Sequence, residues 1–343
     1  MSVPAFADIA KSANDLLNKD FYHLSAGTLE VKSNTPNNVA FKVTGKNSHE
    51  GATTGAMEGK YTDKSLGTSP KKRPKLKSNR SGRSHLYRPP RLTLSRIGGP
   101  SSRWPPSTVI DLQPGLATVL MFYRRTGLTL TQTWNTANAL ESKVELADSL
   151  AKGLKAEGIF SFLPASQARG AKFNLHFKQS NFHGRAFFDL LKGPTANIDA
   201  VVGHEGFLAG ASAGYDVNKA AVTGYSAAVG YQAPTYTAAV AATDNLSVFA
   251  ASYYHKVNTQ VEAGAKATWN SKSGNAVGLE VASKYRLDPV SFVKGKINDR
   301  GVAAVAYNVL LREGVTLGIG ASFDTQKLDQ ATHKVGASFT FES

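Results

Sequence analysis

The sequence contains no cysteine. There is therefore no disulfide framework, no Cys-ligated zinc and no thiol nucleophile. It also has no run of about 18 apolar residues, which argues against a transmembrane α-helix. A transmembrane barrel stays open, because its strands need only about 9–11 residues of alternating character. Such strands leave the average unremarkable, and mean hydropathy is −0.24. The start, MSVPAFADIAKSANDLL, has no basic stretch followed by an apolar core. It reads as neither a secretory signal nor an Arg-rich transit peptide, so a membrane destination would need its address elsewhere in the chain.

Negative charge is scarce, but only locally. The net charge is +15 over 343 residues, which invites a nucleic-acid reading. Between Leu66 and Arg125 there are 13 Lys or Arg and a single acid, Asp111, a net +12. The remainder carries 27 basic and 24 acidic residues, a net +3. Eight of the 14 prolines lie in the same 60 residues. One segment makes a nearly balanced protein look basic.

Residues 4–20 read as an amphipathic helix. Phe6, Ile9, Ala10, Ala13, Leu16 and Leu17 recur at helical spacing, with Asp8, Lys11, Asn14, Asp15 and Lys19 between them, and Pro4 suits a first turn. From about Leu24 the period becomes two. Val39, Phe41 and Val43 alternate with Ala40, Lys42 and Thr44. Phe173, Leu175 and Phe177 alternate with Lys172, Asn174, His176 and Lys178. The same alternation runs from Val257 to Thr268, from Val315 to Phe323 and from Lys334 to Phe341. Turn signals separate these runs at Asn37-Asn38, Gly193-Pro194, Ser273-Gly274-Asn275, Asp299-Arg300-Gly301 and Arg312-Glu313-Gly314.

A soluble β-sandwich also alternates. Two features favour a barrel in lipid. The strands follow one another through very short turns, as in an up-and-down meander, and the polar face carries mid-strand charge at Lys42, Lys172, Arg185, Glu262, Lys266, Glu280 and Lys284. An apolar face toward lipid and a charged face toward a wet lumen satisfy both. Without the N-terminal helix and residues 66–125, the length predicts about 18–20 strands, too wide a ring for side chains to fill.

At this point several stretches resemble a known family. The N-terminal SVPAFADIAKSANDLLNKDFYH, LTLTQTWNT at Leu128–Thr136, HEGFLAG at His204–Gly210 and the ending LGIGASFDTQKLDQATHKVGASFTF resemble the mitochondrial porins, the voltage-dependent anion channels, most nearly their fungal branch. The family's long C-terminal signature is present, from Tyr285 through Asp288, Pro289, Ser291, Gly295, Lys296, Ile297, Asn298, Asp299, Ala304 and Val305 to Tyr307. The resemblance covers residues 1–65 and 126–343. It implies an all-β transmembrane barrel of about 19 strands, a number belonging to the family and not to the arithmetic above, with the helix in the lumen. It divides the chain into helix and link at 1–24, strands 1–3 at 25–65, a basic Pro-rich insert at 66–125, and strands 4–19 at 126–343.

The resemblance also implies site residues. Gly153-Leu154-Lys155 matches a triplet associated with nucleotide binding, and Lys11 and Lys19 stand where relatives present nucleotide-contacting lysines. Read alone, each is an ordinary solvated lysine. Asn14 replaces a basic residue of many relatives, which makes the helix less positive. A weak dinucleotide contact maps onto Val302, Ala303, Ala304, Gly320, Ala321, Ser322, Phe323 and Asp324. Lys334, Gly336, Phe339 and Phe341 match the outer-membrane insertion signal, although an ordinary closing strand would look the same. Gln132 replaces a lipid-facing glutamate tied to kinase association and gating, so no such charge-dependent regulation is expected. His183, His204, His255 and His333 are scattered without metal-ligand spacing, and neither a Walker loop nor a nucleophile elbow occurs.

Joining Ser65 to Thr126 restores YTDKS–TGLTLTQTWN, which reads as a hairpin between strands 3 and 4. The intervening residues show neither period, and their proline and charge predict disorder. Translated non-coding sequence explains them best, ahead of a basic loop drawn to anionic headgroups. Lys71-Lys72-Arg73-Pro74-Lys75 mimics a nuclear signal by composition.

The expectation is a voltage-gated, weakly anion-selective channel of the mitochondrial outer membrane. It would pass small anions and nucleotides such as ATP and ADP by diffusion, with no enzyme activity, cofactor, metal or nucleic acid involved. Partners would be the bilayer, the outer-membrane insertion machinery and, as an open option, further copies of the chain. A protein-import channel subunit on the same fold would call for a longer polar N-terminal extension. A nucleic-acid-binding protein would depend on residues 66–125.

Overall fold

A computed structural model describes residues 2–62, 127–148, 151–191, 193–274, 276–330 and 332–343. The chain divides into two units, residues 1–66 with 126–343, and residues 67–125. The second unit, and with it the predicted insert and its expected disorder, lies outside the described residues.

Within the first unit, nineteen strands follow in chain order: β1 (Gly27–Asn34), β2 (Val39–Asn47), β3 (Thr53–Thr62), β4 (Leu128–Asn135), β5 (Leu140–Ala147), β6 (Leu154–Leu163), β7 (Ala168–Lys178), β8 (Phe182–Asp189), β9 (Thr195–His204), β10 (Phe207–Asp216), β11 (Ala221–Gln232), β12 (Tyr236–Thr243), β13 (Val248–Lys256), β14 (Val261–Asn270), β15 (Gly278–Asp288), β16 (Ser291–Asn298), β17 (Val302–Arg312), β18 (Val315–Asp324) and β19 (Lys334–Glu342). Each pairs antiparallel with the next, and β1 also pairs with β19, so the sheet is a closed barrel. The β1–β19 pairing is parallel, with Leu29 opposite Phe339 and Val31 opposite Phe341. An odd number of strands forces this: in an up-and-down meander the first and nineteenth strands run the same way. Closure leaves no unpaired edge, which a wall in hydrocarbon requires.

The period-two reading survives in detail. Leu29, Val43, Met57, Leu130, Phe173, Val240, Val281, Val305 and Ile319 stand exposed on the outer face, while Lys42, Lys172, Arg185, Glu262, Lys266, Glu280 and Lys284 fall on the opposite face by register. One boundary differs. The alternation beginning at Val257 overshoots, because β14 starts at Val261 and residues 257–260 form a turn. There the Asn258 side chain accepts bonds from the backbone N–H groups of Gln260 and Val261 (2.8 and 2.6 Å). A local side-chain bond competes with the ladder and ends the strand.

The N-terminal segment is less regular than one helix over 4–20. A 3-10 turn at Phe6–Asp8 precedes α1 (Lys11–Asn18), and another 3-10 turn follows at Tyr22–Leu24. The apolar set is nonetheless the buried one: Ile9, Ala13, Leu16 and Leu17 are at most 4% exposed. Val3 and Ile9 pack against Val201, Leu208, Ala228 and Ala239, and Leu16 and Leu17 against Ala282. All of these wall residues point inward, so the segment lies within the lumen.

Candidate pore and lumenal site

The lumen wall has two unlike halves, and side-chain size divides them. From β10 to β19, most positions facing the segment are small: Ala228, Gly230, Ala239, Gly264, Ala282, Ala304, Ala306, Gly318, Gly320 and Gly336. Leu208, Tyr254, Lys294, Lys296 and Asn308 are the larger ones. At Gly230 and Gly264 an added methyl group would press on Ile9 and Leu16 at 3.0 and 2.9 Å, inside normal contact. The trough therefore fits the helix because its wall lacks side chains.

The far end of the segment is held by polar contacts. Lys294 Nζ donates to the carbonyls of Lys19 (2.7 Å) and Asp15 (3.3 Å), and Lys296 Nζ to that of Leu17 (3.1 Å). Phe21 packs on Ala304 and Ala306. The Tyr22 hydroxyl meets Asn308 Nδ2 at 2.5 Å, and burial pushes the phenol's pKa up. His49 Nε2 donates to the His23 carbonyl at 2.8 Å. His23 is itself 7% exposed. Burial, then Lys296, Lys334 and His49, hold its imidazole below the ordinary value.

The wall from β5 to β8, with Asp199 of β9, is charged but internally paired. Lys155 Nζ lies 2.7 Å from both Glu145 and Glu157, and Lys143 lies 2.9 Å from Glu145 and 3.3 Å from Glu157. Asn174 donates to Glu157 at 3.4 Å. Arg185 clamps Asp199 in bidentate fashion at 2.9–3.1 Å. At the seam, Glu30 pairs with Lys32 (3.1 Å) and Lys42 (2.9 Å).

The residues implied by resemblance are scattered through this geometry. Lys11 and Lys19 point to open lumen and share Asp15 at 3.5 and 3.4 Å, with Asp8 at 3.8 Å from Lys11. Gly153 has a left-handed backbone at the turn before β6, where an added side chain would strike the Lys178 carbonyl. By register Leu154 faces outward and Lys155 inward, so the triplet does not converge on one point. The dinucleotide set is likewise divided. Ala303, Ala321 and Phe323 share the outward face, and Ala304, Gly320 and Ser322 the inward one. Ala304 is under Phe21, and the backbone of Tyr22 and His23 runs over Gly320. In β19, Phe339 and Phe341 face outward against Leu29 and Val31, while Gly336 lies under the carbonyls of Tyr22 and Ser25. Gln132 is exposed on the outer wall between Gly59 and Ser142. Among the described residues, no group of three or more His, Asp or Glu could hold a metal ion.

Sequence reasoning missed Lys294, Phe21, Tyr22 and Asn308 as lumenal contacts, and saw Lys296 only as part of a signature. The available signal was the smallness of alternate residues in β17–β19. Glycine and alanine make a poor solvated wall but a good docking surface.

The sequence profile of the eukaryotic porins matches residues 2–84 and 109–336. A mitochondrial outer membrane protein porin of Neurospora crassa is 72% identical over 343 residues, covering 100% of both chains. One of the same description from Candida albicans is 42% identical over 341 residues, covering 99% of both. The non-selective voltage-gated ion channel 1 of Saccharomyces cerevisiae is 34% identical over 346 residues, covering 100% of both.

Proposed function

The chain belongs to the eukaryotic porin family, and we propose on that premise how its lumen selects what passes. It is a voltage-gated channel of the mitochondrial outer membrane for ions and metabolites, and it is not an enzyme. Solutes cross by diffusion through a lumen too wide for side chains to close. We propose a weak preference for anions that extends to nucleotides such as ATP and ADP.

One observation carries the reading: mid-strand charge lies on the inner face of a closed barrel whose outer strand faces are mainly apolar. The lumen has two kinds of lysine. Lys143 and Lys155 are neutralised by Glu145 and Glu157. Lys266 and Lys284 lie on the inner face with no ion pair among the described residues. The second kind sets the preference, which is weak because each of these lysines has a carboxylate opposite it in register, Glu280 for Lys266 and Glu262 for Lys284. Lys11, Lys19 and Lys155 contact nucleotide phosphates in this reading by exchanging a carboxylate partner for a phosphate. The dinucleotide contact at Ala304, Gly320 and Ser322 requires residues 21–23 to lift. Lys334, Gly336, Phe339 and Phe341 double as the signal read by the insertion machinery. The outer wall, where Gly45 and Gly55 pair beneath Leu29 and Trp134, meets a second copy of the barrel.

Recording from purified protein in planar bilayers tests this reading. Large steps that close at higher voltage, with a zero-current potential displaced toward that of chloride, are expected. A cation-favouring potential would reject the proposed preference.

A further inference from the structure

A helix leaves its last carbonyls without partners, and they carry the negative end of its dipole. In α1 the Lys19 N–H satisfies the Asp15 carbonyl, and the chain supplies little to the carbonyls that follow. Lys19 is extended, Asp20 is left-handed, and no glycine follows in the usual capping place. The satisfaction comes from across the lumen. Lys294 and Lys296, two apart on β16 and therefore on one face, donate three bonds to the carbonyls of Asp15, Leu17 and Lys19. Their ammonium groups share the Phe21 ring, at 4.9 and 4.8 Å from its centroid. Lys294 is 2% exposed, rare for a lysine in a wet pore. Elsewhere the segment rests chiefly on apolar contacts with Val201, Leu208, Tyr254 and the alanines of the wall.

We propose that Lys294 and Lys296 are a cap supplied by the wall that latches α1 in the lumen and couples its docking to pore selectivity. While the helix is docked, its carbonyls occupy both ammonium groups and withdraw them from passing anions. When it lifts, two unpaired cations return to the wall. The side chains of the segment that leaves, Asp8, Asp15 and Asp20 against Lys11 and Lys19, sum to a single negative charge that departs with it. Docked and undocked pores therefore differ in anion preference as well as in width. The latch deepens the channel reading but depends on it only for the electrical half of its test.

The test uses the full chain in liposomes with Ala13→Cys, a position 2% exposed in a protein with no other cysteine. A membrane-impermeant maleimide reports undocking. Lys294→Met with Lys296→Met should accelerate modification about tenfold or more, as expected for losing charge-assisted bonds. Arginine at both positions should keep it slow. Gly318→Val, which displaces the Tyr22 ring and the link by crowding, should also speed modification but leaves both lysines in place. It should raise anion preference in the zero-current potential, whereas the double methionine variant should not. Unchanged thiol reactivity in the double variant, with open conductance intact, overturns the latch. Faster modification in Gly318→Val without a change of potential overturns the coupling. If the double variant does not assemble, Lys296→Met alone carries the thiol test. Failure of the parent to conduct would count against the channel reading and leave the thiol result standing.

Discussion

The ring of Tyr22 fills the space over Gly318 that any side chain on that strand would need. Its backbone crosses Gly320 and Gly336 in the same way. The link between helix and barrel thus runs in a slot cut by three missing side chains. Gly318→Ala should crowd the ring, and overpacking of this kind costs about 1–3 kcal/mol. The barrel ladder is untouched, so the cost falls on docking. Protease sensitivity of residues 1–25 should rise roughly five- to a hundred-fold in a barrel that still conducts, the population change that such a cost implies. Unchanged sensitivity would mean that the slot closes around a methyl group without strain.

A second prediction concerns acid. The His23 imidazole is held below its ordinary value of 6.5, first by burial and then by the charges of Lys296, Lys334 and His49. A depressed histidine favours the docked state while neutral. The unfolded or undocked state binds the proton more readily, so stability rises with pH through this window. The contribution is complete above about 6.5 and is lost as pH falls toward the depressed value. Amide protection across residues 15–25, corrected for the intrinsic pH dependence of exchange, should fall as pH drops below about 6.5. His23→Leu should flatten the profile, and a variant retaining the full acid response would assign the effect to another group.

The barrel was legible because its two determinants are local: alternation of side chains and short turns. Val43 and Lys42 announce opposite faces whatever lies beyond them. The helix face was legible for the same reason, through the spacing of Ile9, Ala13, Leu16 and Leu17. The lumenal contacts were not. Lys294 and Asp15 are joined by no period, and only the closed ring brings them together. The break between Phe6–Asp8 and α1 also escaped a one-dimensional pattern, since a straight helix and one bent to a curved wall show the same apolar spacing. Gly320 and Gly336 were read through resemblance as a contact patch and a sorting signal, whereas their immediate physical duty is to let Tyr22 pass.

The paired wall offers a third test. Glu157 holds Lys143 and Lys155 and accepts from Asn174, at 5% exposure. Glu157→Gln leaves one carboxylate, Glu145, for two lysines. Unmatched partners cost about 1–3 kcal/mol, toward the lower end here because lumenal water can solvate a freed ammonium. The lumen gains one positive charge, so the zero-current potential should move toward that of chloride. Lys155 should become available to phosphate, and ATP should reduce conductance at lower concentration than in the parent. A potential that moved the other way would contradict the assignment of these residues to the conducting face.

Gln132 supplies a fourth. It faces outward at mid-strand beside Gly59 and Ser142, so Gln132→Glu would place a carboxyl in hydrocarbon. Burial in lipid disfavours the charged form and raises the pKa above the unfolded value. The variant should match the parent at low pH and lose stability as pH rises through that raised value. Denaturant midpoints in bilayers at pH 5 and pH 8 measure this. Identical behaviour of parent and variant at both values would show that the position does not meet lipid, and with it would go the distinction drawn from the missing glutamate.

The last prediction concerns residues 66–125. β3 ends at Thr62 and β4 begins at Leu128, and the two strands pair directly, Thr62 opposite Thr129 and Tyr61 opposite Leu130. Paired backbones in a sheet are only about 5 Å apart, so a hairpin of a few residues can join them. Deleting 66–125 leaves residues 63–65 and 126–127 to make that turn, a length in the common range for hairpins. Nothing in the β3–β4 register depends on what the connection contains. The deletion should therefore assemble, keep its unit conductance and voltage dependence, and lose most of the net positive charge that sets its isoelectric point. Bilayer recordings on both forms decide it. A deleted form with altered gating would make the segment part of the channel, as a basic loop acting at the membrane surface. Equal recordings, with messenger RNA that lacks the segment, would make the shorter chain the working protein.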